Sequence, residues 1–395
     1  PLRVEGGLVA DSASFAGPVV APGVVAAEAH YRPLRRIGII GDSVASSGSA
    51  GGFLEFAIMA CGGQLSRVVN AGIGGNTLAQ MDARFVADLQ PFAPDEIWIS
   101  GGLNSTELTA ANKAAWASMV AKARNMSARP VIFAINPRTV SPVTRVDAMN
   151  NWLRAFCASA GVEFCDPWDV VRVQATGLAD ASKLDGLGIH PIPNVAWAAG
   201  SEYGASRVQA ANRRRGAGLN TNGDASQNSW VIDPYNTSGD AAKGSRWVAD
   251  NASVTFSKVA TTSPDLGVWQ RMAVSLDATA GANSGAAVLA PGGLAIPEGT
   301  EFEISYRLKT SSMSGLTIDC YLEWQNDGLV DVGGGRKSFL SALRADVDGV
   351  VSYILKAPAG AYRPQLKFKF TQTTDGAAAT GDVDVAMIAI RSLAV

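Results

Sequence analysis

Ser43 ends the short apolar run Ile39-Ile40-Gly41-Asp42-Ser43, where a strand gives way to a turn. A hydroxyl exposed at such a turn, ahead of a helix, sits near backbone N–H groups that suit a developing oxyanion. Taken alone, the residue reads equally well as an ordinary helix N-cap. Serine becomes nucleophilic near neutral pH only beside a base, and histidine is the usual one. The chain has only 2 histidines, which makes the search for that base short. His30 falls in the N-terminal stretch. His190 lies in LDGLGIHPIPNVAW, after the last strand of a strand–helix series and before a final helix. An isolated histidine is by default a surface residue. A Gly-rich turn and Pro191 beside it, with Gly-Asp-Ser upstream, favour a catalytic base.

Two more loops end at strand exits. Asn70–Thr77 (NAGIGGNT) contains glycines that let backbone N–H groups approach a ligand closely. In GGLNS, Asn104 is placed where its amide could donate to negative charge. Each also reads as a plain turn. Arg138, in NPRT after a fourth strand, is a candidate substrate contact and equally a solvated loop charge. The weight lies in the order: Ser, Gly, Asn and His, each on a separate loop.

The elements that must carry these loops alternate. RRIGII, SRVVNA, DEIWIS, PVIFAI and VEFC read as buried parallel strands, and helices are predicted over 52–62, 77–89, 110–126 and 146–159. This order predicts a parallel sheet covered by helices on both faces, with functional loops at the carboxyl ends of its strands. Residues 1–33, rich in Gly, Ala, Val and Pro, read as an extended arm, residues 34–215 as the α/β domain and 216–229 as a polar linker. From 230 to 395, runs such as VWQRMAVSL, EFEISYRLKT and LTIDCYLEW predict an all-β antiparallel sandwich, a jelly roll.

Composition narrows the classes. A net charge of −2 offers no basic footprint for nucleic acid, and Arg213–Arg215 reads as the charged end of a helix. No apolar run approaches the ~20 residues that span a bilayer. The start, PLRVEGGLVADSASFAG, shows no secretory signal. The 4 cysteines form no CxxC, so no metal site and no cofactor are expected. Cys157 and Cys165 could pair, but separate buried thiols fit better.

With these residues in view, segment 34–215 resembles the SGNH (GDSL-type) hydrolase superfamily, whose fold is a three-layer α/β/α, flavodoxin-like domain. Gly41-Asp42-Ser43 matches its first block, Asn70–Thr77 its second, with Gly75 as the oxyanion glycine, and Gly102-Leu103-Asn104 its third, with Ser105 where the family usually has Asp. His190-Pro191 match the last block, but Leu187 stands where the family aspartate belongs. Asp185, five residues before the histidine, looks like that aspartate followed by a two-residue insertion. A bulged loop would let Asp185 orient the imidazole; otherwise a Ser–His dyad or another acceptor must serve.

The resemblance implies a serine esterase with Ser43, His190 and Asp185 as catalytic residues, and the Ser43 and Gly75 N–H groups with the Asn104 amide as oxyanion hole. A sandwich resembling a carbohydrate-binding module implies an acetylated polysaccharide, such as capsule or lipopolysaccharide, as partner. Of Trp230, Trp247, Trp269 and Trp324, most are expected in the sandwich core rather than stacked on sugar. The order arm, hydrolase, sandwich is similar to phage tail-spike deacetylases, implying a virion-associated or extracellular homotrimer. Two alternatives stand beside it: a secreted bacterial carbohydrate esterase or lipase-like esterase with an accessory module, and an inactive glycan-binding protein.

Overall fold

A strand buried on both faces must be apolar on both, and Ile37, Ile39 and Ile40 of the first strand are fully buried. The computed structural model describes residues 35–46, 52–140, 143–173, 175–207, 229–232, 247–249, 254–260, 268–278, 284–289, 296, 298–326, 337–374 and 376–393. The expected arm 1–33 with His30, Arg213–Arg215 and nearly all of the linker lie outside these residues. So do the side chains of Trp230 and Trp247.

The α/β half runs β1 (Arg35–Gly41), α1 (Phe53–Ala60), β2 (Leu65–Gly72), α2 (Leu78–Leu89), β3 (Glu96–Ser100), α3 (Ala110–Asn125), β4 (Arg129–Phe133), α4 (Val143–Ala160), β5 (Glu163–Cys165) and α5 (Pro193–Arg207). Its strands lie parallel in the order β5-β4-β3-β1-β2. The connection from β1 steps outward to β2, and the next returns past β1 to β3. Right-handed crossovers therefore put α1 on one face and α2, α3 and α4 on the other, and α5 packs on α1. The reversal opens a crevice between the carboxyl ends of β1 and β3, where ligands bind in such sheets. Trp98, Trp116, Trp168, Phe53 and Phe133 fill the core beneath it. Cys157 and Cys165 are unpaired, as separate thiols.

The C-terminal half is antiparallel and two-layered, a sandwich. It contains β6 (Ser229–Ile232), β7 (Trp247–Ala249), β8 (Val254–Ala260), β9 (Val268–Leu276), β10 (Ser284–Leu289), β11 (Glu301–Ser314), β12 (Leu316–Gln325), β13 (Lys337–Leu343), β14 (Asp348–Lys356), β15 (Arg363–Gln372) and β16 (Ala379–Ser392). One layer is β13-β12-β15-β10-β7, and the other is β14-β11-β16-β9-β8 with β6 also on β16. Alternation along β15 sends Leu366, Phe368 and Phe370 inward and lysines outward. Trp324 and Trp269 are buried and so belong to the packed interior.

The two halves share one sheet. β14 lies parallel beside β2, with Tyr353 opposite Arg67, and an 11-stranded sheet results. The seam is polar and buried. Arg67 donates to Glu55 of α1 at 2.5 Å, and its guanidinium lies 4.2 Å from the Tyr353 ring centroid. Ser66 meets Ser352, which donates to Glu303 at 2.9 Å.

Candidate active site

Every residue singled out for chemistry sits at the carboxyl edge of the parallel sheet. Ser43 follows β1 in a single turn, closed by the Ser46 N–H on the Asp42 carbonyl at 3.1 Å. The helix expected over 52–62 is α1, which starts at Phe53, ten residues after Ser43. The donors near Ser43 are thus those of the turn itself rather than of a helix N-terminus. A Cβ at Gly41 would strike the Ser100 carbonyl and Ala45, which is why the strand ends in glycine before the turn.

Asp42 fixes that turn. Its carboxylate is fully buried and accepts the N–H groups of Val44 and Leu103, each at 3.0 Å. One side chain thereby staples the Ser43 turn to the loop that carries Asn104. Burial pushes its carboxyl above the usual carboxylate range, against the opposing pull of these N–H donors.

The glycine loop after β2 is held by several side chains. Thr77 caps α2 in a capping box with Gln80, and Ser105 accepts the Leu78 N–H at 3.1 Å. Arg84 reaches back from α2 to Asn76 Oδ1 at 2.8 Å and to the Gly41 carbonyl at 3.0 Å. Gly75 is exposed, and Asn104 donates through Nδ2 to the Asn76 carbonyl at 3.1 Å. An amide nitrogen carries two hydrogens, so this bond anchors Asn104 and leaves one for a ligand.

His190 closes the arrangement. Its Nε2 lies 2.8 Å from Ser43 Oγ, and its Nδ1 lies 2.9 Å from Asp185 Oδ2. The five-residue spacing works because the segment folds back on itself. Asp185 N–H donates to the His190 carbonyl at 2.7 Å, and Gly188 N–H to the Asp185 carbonyl at 2.8 Å. Gly188 has φ +66°, a conformation that favours glycine. The other carboxylate oxygen, Oδ1, accepts the N–H groups of Leu187, Ile189 and His190 at 3.0–3.2 Å. Partial burial opposes ionisation of Asp185, but these donors and the imidazole outweigh it and hold the carboxyl below its usual range.

Such an arrangement can move a proton from a hydroxyl to an imidazole whose charge a carboxylate stabilises. Residues 39–195 match the sequence model of the GDSL-like lipase/acylhydrolase family. These residues form a GDSL-type hydrolase domain. The chain is accordingly an ester-hydrolysing enzyme. Among solved structures, the hydrolase domain is similar to a putative G-D-S-L family lipolytic protein from Desulfitobacterium hafniense, at 18% identity over 44% of this chain and 98% of that one, TM-score 0.39. An acetyl xylan esterase from Geobacillus stearothermophilus matches at 18% identity over 43% of this chain and 91% of that one, TM-score 0.36. The enzymatically active domain of tailspike protein 4 of Bacteriophage CBA120 matches at 13% identity over 38% and 20%, TM-score 0.29. No curated protein sequence matches the chain.

The sequence alone did not disclose the supports of the hydrolase domain's site. Asp42 is visible as a motif letter, but its hold on Leu103 spans 61 residues. Asn70 ties the site to the seam, donating to the Ala45 carbonyl and to Glu55, each at 3.0 Å. Asn136 donates to the Ile189 carbonyl at 2.6 Å and so steadies the histidine segment. Asp42 and Asn70 carried a signal as motif members, and Asn136 carried none. Arg138 lies between the Asn104 and His190 loops, within 3.4 Å of the Leu103 carbonyl. Among the described residues no cluster of His, Cys, Asp and Glu is arranged to hold a metal ion, and no helix is long and apolar enough to cross a membrane.

Proposed function

We propose that Ser43, His190 and Asp185 act as nucleophile, base and orienting carboxylate of a serine esterase that removes O-acetyl groups from a polysaccharide. The observation that carries this reading is the relay Ser43 Oγ–His190 Nε2 at 2.8 Å and His190 Nδ1–Asp185 Oδ2 at 2.9 Å. Ser43 attacks the ester carbonyl as His190 takes its proton, and Asp185 stabilises the resulting imidazolium. The oxyanion is received by the N–H groups of Ser43 and Gly75 and by the Asn104 amide. His190 then protonates the departing sugar hydroxyl, and a water deprotonated by the same imidazole releases acetate from Ser43.

We divide the chain into a hydrolase segment 34–215, a linker 216–229 and a sandwich 230–395, and this division favours a polymeric substrate. We read the sandwich as a jelly roll of the carbohydrate-binding kind. The order of arm, hydrolase and sandwich supports an extracellular, virion-associated setting as a trimeric tail-spike component, for which light scattering should return three chains per particle. A single chain per particle would remove the support for that setting. The test of activity is acetate release from a panel of O-acetylated polysaccharides by the wild type and by Ser43→Ala. Release that depends on Ser43 is expected, and equal release by both would leave a glycan-binding role instead.

A second reading has its own observation. Ile73, Leu108, Val140 and Leu187 are large apolar side chains, exposed by 38–65%, on the loops around the site. They favour a longer acyl group. Rates on p-nitrophenyl esters from acetate to octanoate separate the two, the acetyl reading requiring a maximum at acetate.

A further inference from the structure

Arg138 is set into the rim of the site by its neighbours. Thr139 N–H donates to the Gly188 carbonyl at 3.0 Å, and Asn136 holds the Ile189 carbonyl, so the loop after β4 is laced to the histidine segment. On its other side the Arg138 guanidinium touches the Asn104 loop, through Nη1 to the Leu103 carbonyl at 3.4 Å and Nη2 to Thr106 Oγ1 at 3.5 Å. Both contacts are long and both acceptors are neutral. Nε is buried and has no acceptor among the described residues.

Other arginines of this half are differently placed. Arg36, Arg67, Arg84, Arg145, Arg172 and Arg207 each hold a carboxylate within 3.0 Å. Arg138 has no carboxylate within ion-pair distance among the described residues. The nearby Arg145 adds like charge, and burial together with Arg145 pulls the Arg138 guanidinium below its ordinary pKa. A part-buried guanidinium with no counter-ion among the described residues, between two loops of the candidate site, suits a planar anion.

We infer that Arg138 binds a carboxylate on the substrate, so that the acetyl ester to be cleaved lies on or beside a uronic-acid-type sugar of an acidic polysaccharide. This rests on the polysaccharide reading given above and narrows it. The carboxylate would take the two outer hydrogens of the fork, leaving the Leu103 and Thr106 contacts in place.

The test compares acetate release from a partially O-acetylated polygalacturonate and from a partially O-acetylated neutral glucomannan. The readout is the ratio of kcat/KM on the acidic polymer to that on the neutral one. The wild type should prefer the acidic polymer, and the preference should shrink with added salt. In Arg138→Gln the ratio should fall about 10- to 100-fold, the loss of one charge-assisted pair. Arg138→Lys, which keeps the charge but not the fork, should fall between them. Because a ratio is read, a general loss of folding or activity cancels. A ratio in Arg138→Gln within about twofold of the wild type overturns the inference alone. No acetate from either polymer, with p-nitrophenyl acetate still cleaved through Ser43, overturns the polysaccharide reading and this inference with it.

Discussion

The rim of loops above β1–β5 and the seam between β2 and β14 use the same kinds of side chain in contrasting ways. At the rim, Asp185 is part-exposed, accepts three N–H groups through one oxygen and offers the other to His190. At the seam, Glu55 is 1% exposed, and its bonds run to Arg67, Asn70 and Tyr353. The rim carboxylate keeps one oxygen on His190, which in the proposed mechanism gains and loses a proton. The seam carboxylate is committed to fixed partners, and separating it from Arg67 would leave a buried charge alone. A polar group serves chemistry where one bonding direction still faces a movable proton, and adhesion where none does.

Substitutions can break this contrast, beginning at the rim. Asp185→Asn keeps the shape but offers the imidazole a donor in place of an acceptor, and kcat on p-nitrophenyl acetate should fall by about 10⁴. Asn104→Ala removes one proposed oxyanion donor and should lower kcat by about 10²- to 10³-fold with KM little changed, read in the same assay. A large rise in KM alone would make Asn104 a binding residue instead.

At the seam, Arg67→Ala should cost about 3–5 kcal/mol in urea unfolding, because Glu55 is left buried and unpaired. Its kcat per folded molecule should drop far less than in Asp185→Asn. A catalytic loss as large as that of Asp185→Asn, without destabilisation, would erase the distinction between the two regions.

The smallest effect is in pH. The folded-state pKa of Asp185 is held below its unfolded value of 3.8, so its stabilising contribution is present above that value and fades as pH falls through the folded one. The difference in unfolding stability between wild type and Asp185→Asn should not shrink between pH 7 and about 4, and should shrink only below that. A difference that shrinks between pH 6 and 5 would contradict the depressed carboxyl.

The rim was largely legible in the sequence, and the seam was not. Buried parallel strands appear as apolar runs, and each run here ends in a turn whose letters are few and distinctive, so Ser43, Asn104 and His190 could be placed on loops of one sheet. Asp185 was harder, because its reach depends on a fold-back through Gly188 that spacing alone leaves open. Asp42 was visible only as a letter, since its partner Leu103 is supplied by another strand's loop. The pairing of β2 with β14 joins residues such as Ser66 and Ser352, 286 positions apart, and no local pattern announces it. In the sandwich, the runs 268–276, 301–310 and 316–324 were readable. SWVI, WVA and the Gly- and Ala-containing SGAAVL were not, being too short or too poor in β-branched residues to carry a signal.

Covalent trapping goes most directly to the role of Ser43. The enzyme is treated with a fluorophosphonate, digested, and the modified peptide identified by mass spectrometry. A single adduct on Ser43 is expected, formed rapidly by the wild type and slowly by His190→Ala. An enzyme that cleaves p-nitrophenyl acetate yet carries the adduct on another residue, or none at all, would contradict the account.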